Sequence, residues 1–177
     1  MKKIKFLRAI IIILILFNMG VIFFFSAQKA VESDKTSDGF ITALCKTVVS
    51  YFDSLSPQEK ETTIKSLSHA VRKAAHMSEY ALLGFLCAVL FASYGYKIRN
   101  FALGFGFSTL YAATDEFHQL FVEGRSGQFS DVCIDAAGAL TGVIFAWFVY
   151  FIAVQIVKQK NSMKKILAGG QCDAFGN

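Results

Sequence analysis

Three short stretches hold most of the side chains in this chain that could do chemistry. Arg72, Lys73, His76, Glu79 and Tyr80 come first, and intervals of three and four place Arg72, His76, Glu79 and Tyr80 on one helical face. Asp115, Glu116, His118 and Gln119 follow, then Arg125, Asp131 and Asp135. Three readings suit such a set. His76 or His118, oriented by Glu79, Asp115 or Glu116, could serve as a general base, and carboxylates with imidazole could hold a divalent metal. Arg72, Lys73 and Arg125 could instead contact a phosphate or carboxylate while the acids hold those bases in place, guanidinium groups being suited to two-pronged contacts. Last, the charges could merely pair with one another and fix helix register, since unpaired polar groups in hydrocarbon are costly. About a dozen polar residues at one depth exceed what register needs. The spacing matches neither HExxH nor another standard zinc motif, and no Ser, Cys or Thr stands out as an activated nucleophile. The pattern therefore specifies a site better than a reaction.

What must position these residues is a bundle of membrane helices. With 54% hydrophobic and only 18% charged residues, nineteen Phe and one Pro, the chain fits a helical integral membrane protein better than a soluble domain. Ala9 to Phe25 is apolar except for Asn18 and follows Lys2, Lys3, Lys5 and Arg8. It reads as a first span over about 9–27. Phe25 stands where a small residue would precede cleavage after Ala27, so the span reads as an uncleaved anchor. Further spans are expected at about 74–94, 101–122 and 131–157, the second with Leu83, Gly84 and Cys87 on its polar face, the last with Gly138 and Gly142 at GxxxG spacing. Carboxylates at such places cost roughly 2.5 to 3.5 kcal/mol each at mid-membrane and need partners or a purpose.

Residues 28–73 are soluble in character and contain two helices. One, capped by Ser37 or Asp38, puts Phe40, Ile41, Leu44, Val48, Tyr51, Phe52 and Leu55 near one stripe and should lie along the membrane surface. The other opens with Ser56-Pro57-Gln58-Glu59, a capping box with Pro at the first helical position, and could run straight into the second span. Residues 166–177 read as a disordered tail, and Cys45, Cys87, Cys133 and Cys172, without metal-like spacing, as small apolar fillers. The expected architecture is all-α: one polytopic membrane domain over 1–177, four transmembrane helices plus extracytoplasmic amphipathic helices.

Four spans put the N-terminus, the Lys97 connection and the C-terminal tail on one side, with ten Lys/Arg against the single acid Asp173. By the positive-inside rule that side is cytoplasmic. Residues 28–73 and the 123–130 loop then face outward, and the polar residues gather at the outer leaflet. There the bilayer is one partner, and a lipid-linked cell-wall precursor or anionic lipid is a fitting second. No Gly-rich phosphate loop or basic-aromatic nucleic-acid surface is present.

Arg72-Lys73-Ala74-Ala75-His76 with Glu79-Tyr80, then Asp115-Glu116-Phe117-His118-Gln119 with Phe121, Gly124-Arg125, Asp131, Asp135, Gly138 and Gly142, resembles the VanZ family of bacterial membrane proteins. The Phe24-Phe25-Ser26-Ala27-Gln28 exit from span one, with Ser33 and Ser37 beyond, is similar to that family's first loop. The resemblance covers roughly 10–157 and implies a multi-span envelope protein whose namesake is linked to glycopeptide resistance, chiefly to teicoplanin. It implies no reaction, so the matched residues are motif positions only. The expected function is binding or modifying a lipid-linked or anionic envelope component. The alternatives are a membrane hydrolase or transferase using the same His and carboxylate residues, and a structural protein whose polar cluster only packs helices.

Overall fold

The structure, a computed structural model, describes residues 2–48, 52–95 and 97–172, and every regular element among them is helical. In chain order these are α1 (Lys2–Ser26), α2 (Ala30–Val48), a 3-10 turn at Phe52–Ser54, α3 (Pro57–Ala92), α4 (Ile98–Gln119) and α5 (Phe129–Cys172). Among the described residues three stretches, Lys2–Ser26, Pro57–Ala92 and Phe129–Met163, are long and apolar enough to cross a membrane. The helix α4 is not one of them; its last turns carry Asp115, Glu116, His118 and Gln119.

The long helix α3 packs against all four others. Its start is written locally. Ser56 Oγ accepts from the Glu59 amide at 3.4 Å, Glu59 Oε2 accepts from the Ser56 amide at 2.9 Å, and Pro57 needs no amide partner. From there α3 continues without a break into its apolar half, so the soluble helix and the second span are one element. Gly84, Gly138 and Gly142 bring α3 and α5 backbone to backbone. A Cβ on them would overlap the carbonyls of Ala139, Met77 and Ala81 respectively, so no side chain fits there. Gly104 does the same for α4, where a Cβ would lie 2.8 Å from the Ala88 amide nitrogen. Around these contacts Ile22, Tyr80, Leu83, Cys87 and Ala112 form a fully buried core, while Leu110, Phe145, Phe148 and other large apolar side chains point outward. At one end of the bundle Arg8 ties α1 to α3, donating to Ser93 Oγ at 3.0 Å and lying 3.7 Å over the Tyr94 ring.

Several sequence expectations shift. The helix α2 begins at Ala30 rather than after Ser37 or Asp38, because the Ala30 amide donates to the Glu123 carbonyl at 3.3 Å, a tertiary contact that no local cap announces. Its buried face is Ile41 and Cys45, joined by Phe52, whereas Phe40 and Leu44 are exposed, and the helix stops at Val48 before the Phe52–Ser54 turn. Burial follows the i, i+4 row facing α3 rather than the broader apolar stripe. Tyr51 of that stripe lies outside the described residues. The helix α4 ends at Gln119, three residues before the expected 122, and Leu120 to Val122 turn by i to i+3 bonds. The helix α5 runs on to Cys172, through part of the segment expected to be disordered, and 173–177 lie outside the described residues. Cys45 and Cys87 are buried free thiols; Cys133 is free and exposed.

Candidate functional site

At the end of the bundle opposite Arg8, α1 ends, α2 begins, α4 turns into the 120–128 loop and α5 starts. The loop is clamped by its own polar groups. Arg125 donates from Nε to the Gln28 carbonyl at 3.2 Å and from Nη2 to the Phe25 carbonyl at 3.3 Å, the latter shared with the Gln28 amide. Gly124 turns the chain at φ +78°, in the left-handed region. The Gln128 amide returns to Glu116 Oε2 at 3.1 Å, and Gln119 Nε2 donates to Glu116 Oε1 at 3.1 Å. Lys29 and Glu123 pair at 2.7 Å on the outside of the turn.

This framework encloses a polar cavity of about 190 Å³. Eight of the twelve residues singled out in the sequence line it: Arg72, Lys73, His76, Glu116, Gln119, Arg125, Asp131 and Asp135. Lys73 Nζ lies 2.7 Å from Asp131, and Arg72 Nη1 lies 2.7 Å from Asp34 of α2. Arg125 forms no ion pair with a described residue; its bonds go to neutral carbonyls. Burial, and then repulsion from Arg72, hold its guanidinium below the ordinary value, and Asp34, Glu116 and Asp115 only partly offset this. Asp135 is 2% exposed, and the buried Arg72 Nε and His76 Nδ1 have no hydrogen-bond partner among the described residues.

The other four stand elsewhere. Glu79 lines a second, mostly apolar cavity of about 290 Å³, which shares Arg72, His76 and Arg125 with the first. Tyr80 is fully buried in the helical core. Asp115, 3% exposed, accepts from Gln119 at 3.4 Å. His118 turns to α1 and stacks on Phe23, with ring centroids 4.8 Å apart and 13° between planes. His76 Nδ1 and Glu79 stand 4.0 Å apart and form no hydrogen-bonded pair. Among the described residues no three His, Cys, Asp or Glu side chains come together in a way that could hold a metal ion.

Three contributors escaped the sequence reading. His69 lines the polar cavity three residues before Arg72, and extending the helical period backwards would have found it. Asp34 and Gln128 carry no local signal; α2 brings one to Arg72 and the loop brings the other to Glu116.

A family model described as VanZ/LLP1 matches residues 11–152, which include every cavity residue named above. No curated protein and no solved structure matches the chain.

Proposed function

The chain belongs to the VanZ/LLP1 family, and from that premise we propose a bacterial envelope protein that binds an anionic or lipid-linked envelope component and so alters sensitivity to teicoplanin. In this reading the whole chain is one membrane domain, α4 is a fourth span, both termini are cytoplasmic and the polar cavity opens at the outer leaflet. The positive-inside count supports that orientation: ten Lys/Arg against one acid in the short segments at the other end.

The observation that carries the binding reading is Arg125. Its charge faces the cavity beside Arg72, with no carboxylate of its own among the described residues. An anion received there relieves the repulsion between the two guanidinium groups. Arg72 Nε, buried in the same cavity without a hydrogen-bond partner among the described residues, suits a second oxygen of the same anion.

The reading is tested by teicoplanin susceptibility in cells expressing wild type, Arg125→Ala or Glu116→Gln at equal membrane levels. Protection by wild type and its loss in both variants is expected. Identical susceptibility in all three would remove the cavity from the phenotype.

A further inference from the structure

We propose that the ligand is an anionic lipid entering from the side of the bundle, its headgroup in the polar cavity and a hydrocarbon chain in an apolar slot running down α3 between α2 and α1. This rests on the anion-binding reading above and adds where the rest of the molecule goes.

Three cavities follow one another along α3. The polar cavity shares Arg72, His76 and Arg125 with the second, whose other walls include Phe25, Phe40, Val71 and Ala75 together with Gln28 and the hydroxyl residues Ser33, Thr36 and Ser37. Glu79 in turn is shared by the second cavity and a third of about 430 Å³, bounded by Leu14, Phe17 and Val21 of α1 and Leu82 and Leu86 of α3. The wall thus changes from guanidinium groups to a mostly apolar surface, interrupted by the Glu79 carboxyl at the junction and by Asn18 and Ser78 beyond it. At 1.5 Å per residue, Ala75 and Leu86 lie about 16 Å apart, close to half the roughly 30 Å hydrocarbon thickness of a bilayer. The slot therefore matches one leaflet.

Other occupants fit less well. A soluble anion fills the polar cavity alone and leaves the apolar chambers without a counterpart. A partner helix laid in the second cavity would bury the Arg72 and Arg125 charges that line it, at a cost that an anionic headgroup does not carry.

Two probes separate the possibilities: dioleoyl phosphatidylglycerol, followed by native mass spectrometry of the full chain in neutral detergent, and glycerol phosphate, its soluble headgroup, followed by calorimetry. The lipid should bind at least about tenfold more tightly, because its chain leaves water or detergent for the slot. Arg125→Ala should weaken both probes, whereas Ala75→Trp, which fills the second cavity, should weaken the lipid alone. Ser37→Trp fills the same cavity from α2 and should do the same. A phosphatidylglycerol with a diazirine on its chain should crosslink to Phe17, Leu82 or Leu86.

Glycerol phosphate binding as tightly as the lipid would overturn the slot and leave the anion site standing. So would unchanged lipid binding in folded Trp variants, or crosslinks confined to the outward face of α5 around Phe145. Failure of both probes to bind would overturn the anion reading and the slot with it.

Discussion

Arg125 Nε donates to the carbonyl of Gln28 at 3.2 Å, a bond joining the loop after α4 to the exit of α1 across 97 positions of sequence. With the second bond to Phe25 it makes one guanidinium both a clamp and a wall of the polar cavity. Arg125→Ala should therefore lower stability, by about 1–3 kcal/mol for charge-assisted bonds to backbone. Arg125→Lys, which keeps the charge but not the two-pronged reach, should recover only part of it. Thermal unfolding in detergent decides this. Equal midpoints for wild type and Arg125→Ala would show that the clamp contributes nothing.

Lys73 and Asp131 should be energetically coupled. Each side chain is about one-third exposed, at 33% and 29%, and they meet at 2.7 Å between α3 and α5. A coupling of about 0.5–1.5 kcal/mol is expected, above most surface pairs and below a fully buried one. A double-mutant cycle with Lys73→Met and Asp131→Leu measures it, and additive single effects would exclude the coupling.

The close approach of α3 and α5 makes Gly142 intolerant of any side chain. Gly142→Ala would drive its Cβ into the Ala81 carbonyl and should cost about 1–3 kcal/mol as the helices separate. Gly106 is the control. It sits in α4 with open space where a Cβ would stand, so Gly106→Ala should be neutral or gain up to about 1 kcal/mol from helix propensity. Similar effects at both glycines would contradict the packing described.

The sequence made the α3 start and the α3–α5 seam legible because both depend on near neighbours. Ser56, Pro57 and Glu59 form a cap within four residues, and Gly138 and Gly142 lie one turn apart on a face that must meet another helix. What it concealed depends on distant partners. The α2 start rests on Glu123, Asp34 finds Arg72 across two helices, and His118 leaves the candidate cavity because Phe23 offers it a ring to stack on. Helical period could group Arg72, His76, Glu79 and Tyr80, yet it could not divide them: the first two line the polar cavity, Glu79 lines the apolar one and Tyr80 is sealed in the core.

Whether α4 crosses the bilayer can be read from labelling. In a cysteine-free background, Ser126→Cys should react with a membrane-impermeant maleimide in intact cells, and Lys97→Cys only after permeabilisation. Reaction of both positions from the same side would make α4 a helix that returns to its own face and would turn the polar cavity with it.

The helix α1 buries a single narrow row, Ile11, Ile15, Asn18, Ile22 and Ser26, between fixed points at Arg8 on Ser93 and at Phe25 under Arg125. Mechanically it is a beam held at both ends and again at mid-length, where the Met19 carbonyl accepts from Tyr111 Oη at 2.8 Å and Ile15 and Ile22 sit in the core. Its middle is where Leu14, Phe17, Asn18 and Val21 face the groove against α3. The groove there is thus walled by a helix fixed at three points, and its width is set by the middle support rather than by the two ends.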